Sequence, residues 1–115
     1  MIKPEVLHKI IEKFKICTPI FIALGDTARQ KLILDIADSG SEGLNVTNLS
    51  AKSNLSRPAI SHHLKVLKDS GLILPFKQGT QIFYRLNLKE NFKEVENLIN
   101  SIKDVLDKLE KNVSS

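Results

Sequence analysis

Residues 46–86 run VTNLSAKSNLSRPAISHHLKVLKDSGLILPFKQGTQIFYRL, a stretch whose caps and breakers fix the order of elements more tightly than any other part of the chain. Ser56 can accept a backbone N–H at the start of a helix, Pro58 fits the first turn where no N–H partner is needed, and Gly71 can end the helix in a left-handed conformation. Between these ends Ile60, Leu64 and Leu67 recur at steps of four and three and form an expected buried stripe. Arg57, Ser61, Lys65 and Lys68 keep the same rhythm on a second face that is left free. Ahead of this helix, Thr47 is the expected cap of a short helix reaching about Ser53. Behind it, the runs 72–77 and 80–87 predict a hairpin turning at Gln78 and Gly79. On its return strand Ile82, Tyr84 and Leu86 alternate with Gln81, Phe83 and Arg85, as in a ribbon with two unlike faces.

Helix, turn, helix and ribbon in that order make the plan of a DNA reader, with residues 47–70 as the helix-turn-helix and 72–87 as the wing. The charge agrees. The chain carries a formal +4, and residues 44–90 hold seven Lys or Arg against two acids, a local +5, while the flanks are nearly balanced. Such a patch is the electrostatic footprint expected on a polyanion. At the wing tip Lys77, Gln78, Thr80 and Gln81 are short polar and basic groups that can enter a minor groove or touch the sugar-phosphate backbone.

With 115 residues and 42% hydrophobic content, the whole chain, 1–115, is expected to form one domain, mainly α with a small β-wing. Residues 4–16 predict an amphipathic helix with Leu7, Ile10, Ile11 and Phe14 on one face. Thr18 is the expected cap of a separate short helix over 19–24. A further helix over 27–39 should bury Leu32, Ile33, Ile36 and Ala37 and leave Arg29, Lys31, Asp35 and Asp38 in water. Residues 40–43 read as loop, and 44–46, too short to stand alone, can pair with the later ribbon.

From Asn91 to about residue 112 the pattern is the most regular in the chain: Phe92, Val95, Ile99, Ile102, Leu106, Leu109 and Val113 alternate steps of three and four. Leu98 and Val105 widen that seam beyond what one neighbour in a fold of this size would cover. A second copy of the chain is the expected cover. The interface would draw on Leu7, Ile10 and Phe14 from the first helix and on Val95, Leu98, Ile99, Ile102, Val105, Leu106 and Leu109 from the last.

Catalysis and cofactors are not expected, because Cys17, His8, His62 and His63 are scattered and converge on no site. Cys17, the only cysteine, is expected to be a small buried hydrophobe. Glu5, His8 and Glu12 can share a helix face, which ion pairing with the neighbouring lysines explains better than a metal does. No apolar run approaches the length of a membrane span and no secretory core opens the chain, so the expected location is the cytoplasm.

These residues resemble a known family. LGDTARQKLIL at 24–34, LSRPAISHHLKVLKDSGLI at 55–73 and KQGTQIFYRL at 77–86 are similar to the ArsR group of winged-helix repressors, and the resemblance covers about Phe14 to Leu109. It implies a homodimer that binds an imperfect palindrome in double-stranded DNA and lets go when an effector arrives. Carried onto this chain, it puts Arg57, Ser61 and His62 near base edges, with Ser56 and Thr47 holding phosphates and Pro58 beside them. Arg57 stands where the family often has Gln, which shifts the preferred base from adenine toward guanine. His63, next to the buried stripe, is expected to be hydrogen-bonded and partly buried.

The chain departs from the family's metal-sensing branches. GLNVTNL at 43–49 places Asn45 and Thr47 where one branch has thiolates, and no histidine follows residue 63 to serve the other branch. A transition-metal effector is therefore not expected, and a small-molecule effector is left open. The alternative function is a winged-helix module that keeps the fold and docks a protein partner through its heptad helix.

Overall fold

The computed structural model describes residues 2–114, with side chains described as far as Lys111, so the side chain of Val113 in the seam lies outside the described residues. The elements are α1 (Pro4–Leu24), α2 (Thr27–Asp38), a single 3-10 turn (Gly40–Glu42), α3 (Val46–Lys52), α4 (Arg57–Asp69), β1 (Ile73–Gln78), β2 (Gln81–Leu86) and α5 (Lys89–Ser114). From α2 onward their order is the expected one, with a 3-10 turn inside the expected loop, whereas the two helices expected over 4–16 and 19–24 are a single α1. No helix among the described residues is long and apolar enough to cross a membrane.

Two compact units emerge, one formed by residues 2–19 with 89–114 and the other by Ile20–Leu88. In the second, Leu32, Ile33 and Ile36 of α2, Leu49 of α3, and Ile60, Leu64 and Leu67 of α4 are buried together with Leu72 and Ile73. The members from α2 and α4 are those the helical periodicities predict, with one exception. Ala37 is exposed. The wing pairs β1 with β2 in antiparallel register from Ile73↔Leu86 to Gln78↔Gln81, so the turn residues are Gly79 and Thr80, one position beyond the expected pair. Gly79 at φ 67 supplies the positive φ at the first turn position, and Thr80 has none, which fits a type II′ hairpin turn. Leu44 exchanges two backbone hydrogen bonds with Tyr84, at 3.1 and 2.8 Å, so residue 44 does join the ribbon as a third, one-residue edge.

Gly43 makes that edge possible. Its φ of 70 and ψ of −176 lie in a region open almost only to glycine, and a Cβ there would stand 2.5 Å from the Tyr84 carbonyl oxygen and 3.0 Å from the Phe76 ring.

In the first unit, α1 and α5 are linked by a hydrogen bond from Lys13 Nζ to Ser101 Oγ. Leu98 is buried and Val95, Ile102 and Val105 are half-buried, whereas Leu7, Ile11, Phe14, Phe92, Ile99 and Leu106 each leave about half of their surface in water. Leu98, expected in an interface between copies, is thus already covered within the chain and has little surface to offer a partner.

One local expectation fails outright. Thr18 caps nothing: α1 runs unbroken through Pro19, and the Thr18 hydroxyl donates back to the Phe14 carbonyl at 2.7 Å. Proline removes one rung of the helical ladder, but Cys17, Ile20 and Ala23, spaced by three, are all buried and hold the segment helical across it.

Candidate nucleic-acid interface

The second helix of the helix-turn-helix, α4, begins and ends where its local chemistry dictates. Ser56 Oγ accepts the Ala59 N–H at 3.3 Å, and Pro58 sits in the first turn. At the other end Gly71 at φ 81 lets its own N–H reach the Lys68 carbonyl and the Leu72 N–H reach the Leu67 carbonyl, the paired bonds of a Schellman stop. The helix cannot slide or extend, so the residues on its free face stand at fixed angles to the buried stripe.

On that face Arg57, Pro58, Ser61, His62, Lys65 and Lys68 are all exposed. Lys65 donates to Asp69 at 2.7 Å, and this contact holds the Asp69 carboxyl below the usual carboxylate range. Both partners are well exposed, so the pair is weak and Lys65 can exchange Asp69 for a phosphate at little cost. Arg57 and Lys68 make no ion pair among the described residues. The wing adds Lys77, Gln78, Thr80 and Gln81, exposed at the hairpin turn. Below them Phe76 and Phe83 stack at 5.8 Å between centroids, and the Arg85 guanidinium lies 5.6 Å over the Phe76 ring. Along β2, Tyr84 and Leu86 are half-buried and Gln81 and Arg85 exposed, as the alternation predicts, but Phe83 is half-buried and Ile82 exposed, since Phe83 stacks on Phe76 beside residues 41–44.

The start of α3 departs from expectation. Its cap is Asn45, whose Oδ1 accepts the Asn48 N–H at 2.8 Å, while Asn48 Oδ1 accepts the Asn45 N–H at 3.3 Å, completing a reciprocal capping box. Thr47 lies inside the helix and is exposed. An Asn-x-x-Asn pattern carries this signal in the sequence, and the Thr47 hydroxyl, two residues on, imitates it. Asn45 also donates through Nδ2 to Gln81 Oε1 at 2.6 Å, so the helix cap is joined to the wing.

Arg29 was expected in water and is not. Its side chain is 12% exposed. Nε donates to the Ala23 carbonyl at 2.7 Å and Nη2 to the Ile22 carbonyl at 3.0 Å, while Nη1 faces His63 Nδ1 at 3.3 Å. Gln30 Nε2 takes the Leu24 carbonyl at 2.7 Å, so the last carbonyls of α1 are satisfied by the first turn of α2. Asp26 caps α2 by accepting the Arg29 N–H at 3.1 Å, and that bond keeps its carboxyl below the usual range. Only the folded chain reveals these partners, because backbone carbonyls of the preceding helix leave no mark in the sequence. His63 is partly buried and hydrogen-bonded as expected.

Cys17 is fully buried in α1, and burial, with the Glu94 carboxylate nearby, pushes its thiol up. It is protonated at neutral pH and a poor nucleophile. On the same helix Glu12 pairs with Lys15 at 3.2 Å, the ion pairing expected of that face.

Comparison with known proteins agrees with this geometry. The family model described as bacterial regulatory protein, arsR family, matches residues 27–73, from the start of α2 to the start of β1. An uncharacterised HTH-type transcriptional regulator of Methanocaldococcus jannaschii is 32% identical over 92 residues, covering 80% of this chain and 100% of that protein. The transcriptional repressor SdpR of Bacillus subtilis is 34% identical over 84 residues, covering 70% of this chain and 90% of that one. Among solved structures, an ArsR-like transcriptional regulator from Rhodococcus sp. RHA1 superimposes with a TM-score of 0.75 at 25% identity, over 90% of this chain and 94% of the other.

Proposed function

The chain belongs to the arsR family of bacterial regulatory proteins, and on that footing we propose that it is a sequence-specific DNA-binding transcriptional repressor that acts as a homodimer. One observation carries the proposal: α4 buries Ile60, Leu64 and Leu67 and presents Arg57, Ser61, His62, Lys65 and Lys68 to solvent, between a capped start and a fixed stop. Arg57 and His62, with Ser61, read base edges in the major groove. Lys65, Lys68 and the helix start at Ser56 and Pro58 hold phosphates, with Thr47 alongside, and Lys77, Gln78, Thr80 and Gln81 follow the backbone into the neighbouring minor groove.

The homodimer rests on the apolar surface left in water. Leu7, Ile11, Phe14, Phe92, Ile99 and Leu106 are each about half exposed. Burying the remainder of these six on each of two copies contributes roughly 9–18 kcal/mol at about 1.5–3 kcal/mol per fully buried residue. That outweighs most of the cost of association, about 4–15 kcal/mol. Ile10, Val95, Ile102, Val105 and Leu109 extend the same surface, and a pair of reading helices related by two-fold symmetry would meet successive major grooves about 34 Å apart.

The test is the salt dependence of binding to a DNA fragment selected from a random pool. A reader neutralising five or six phosphates loses affinity with a log–log slope near −5. A module that docks a protein through α5 would bind DNA weakly and without sequence preference, and that outcome would overturn the proposal.

A further inference from the structure

We propose that Arg29 and His63 form a positioning device for base reading, a role that rests on the DNA-reading function proposed above. Arg29 acts as a bolt between three parts of the fold. Its Nε and Nη2 bind the carbonyls of Ala23 and Ile22 at the end of α1, its backbone N–H is held by Asp26 at the start of α2, and its Nη1 points at His63 Nδ1 in the middle of α4.

The direction of the last contact is fixed by chemistry. A guanidinium can only donate, so His63 Nδ1 is the acceptor and the ring proton sits on Nε2. The contact therefore sets both the tautomer and the orientation of His63. Its ring packs 5.8 Å from that of His62 at an interplanar angle of 53°, so the buried anchor and the exposed reader are consecutive residues with neighbouring rings. An arginine side chain that is 12% exposed, with two of its guanidinium nitrogens held by backbone carbonyls, has few other places to go. A shift of α4 along or about its axis must break the Arg29–His63 contact or pull Arg29 off α1. Hence Arg29 and His63 touch no DNA themselves and act through His62 and its neighbours on the reading face.

Such a device makes a prediction that a plain packing role does not. Losing it should leave phosphate contacts, and so binding to random DNA, nearly intact, while the fit to base edges loosens. Asparagine places an amide oxygen close to where Nδ1 stands and keeps an acceptor for Arg29, whereas leucine fills the space without one. The experiment compares wild-type protein with His63→Asn and His63→Leu, measuring affinity for the selected operator and for random DNA, with thermal unfolding of each variant alongside. The expected result is an operator-to-random ratio about tenfold lower for His63→Leu, as for loss of one charge-assisted hydrogen bond, and a ratio near wild type for His63→Asn. Arg29→Lys, which keeps the charge but cannot span both α1 carbonyls and His63, should fall with His63→Leu. An unchanged ratio in a folded His63→Leu, or an equal loss in His63→Asn, would overturn the inference. A wild-type protein that fails to distinguish operator from random DNA would instead overturn the DNA-reading function on which it rests.

Discussion

Asn45 and Gln81 are 36 positions apart in the chain, and their side-chain amides meet at 2.6 Å, joining the cap of α3 to the first residue of the return strand of the wing. The same Asn45 closes the capping box with Asn48. Replacing it by Ala should cost about 1–2 kcal/mol from the cap alone. Asn45→Ser keeps a cap acceptor but is too short to reach Gln81, and should recover most of the stability but not the wing's placement. Urea unfolding measures the first effect, and weaker operator binding by Asn45→Ser at near-normal stability measures the second.

Much of this interface was legible because its determinants are local. Ser56, Pro58 and Gly71 set the ends of α4 through bonds spanning only a few residues, so their chemistry reads directly from their order. Thr18 and Pro19 obey the same local rules and mislead, because burial of Cys17, Ile20 and Ala23 outweighs one missing hydrogen bond. Arg29 is opaque for the opposite reason. Its partners are backbone carbonyls and a histidine 34 residues away, and an arginine in the first turn of an amphipathic helix ordinarily points into water. In the wing, cross-strand stacking of Phe76 on Phe83 decides which side is covered, and strict alternation cannot report a choice made by the opposite strand.

Gly43 is fixed by geometry rather than by any contact of its own. Gly43→Ala would force a side chain into a glycine-only conformation with its Cβ against the Tyr84 carbonyl. It should destabilise by at least about 1–3 kcal/mol and loosen the Leu44–Tyr84 pairing. Thermal unfolding checks the stability, and hydrogen exchange at the Leu44 and Tyr84 amides checks the pairing.

Base reading and phosphate holding separate by mutation. Arg57→Ala or His62→Ala should each cost about 1–3 kcal/mol on the operator and relax preference at one position per half-site. Lys77→Ala should weaken operator and random DNA alike and lower the salt slope by about one. Competition binding against single-base operator variants gives the answer, and equal losses on operator and random DNA for Arg57→Ala would remove it from the base-reading set.

Acid should act through Asp26. Its carboxyl is held low chiefly by the Arg29 N–H that it caps, with the Arg29 charge helping. The folded-state value lies below the unfolded one, so this contribution is complete above about pH 4 and is lost as the pH falls through the folded value. Asp26→Asn still caps α2 and should show a smaller loss of stability than wild type between neutral pH and about pH 3, read from urea midpoints at the two pH values.

The apolar surface of α1 and α5 is separable from the chain's own core. Ile99 and Leu106 are about half exposed, so Ile99→Glu with Leu106→Glu should leave the chain folded and yield monomers by light scattering. Operator affinity should then fall steeply, since two half-sites would no longer be engaged together. A dimer that survived the double change would place the contact between copies elsewhere.

The most direct measurement is selection of bound sequences from a random DNA pool by the purified protein. Two exposed faces of α4, carried by paired copies, predict an enriched site with two-fold symmetry and half-site centres about one helical turn apart. Enrichment of a single unpaired half-site, or of no sequence at all at moderate salt, would contradict it.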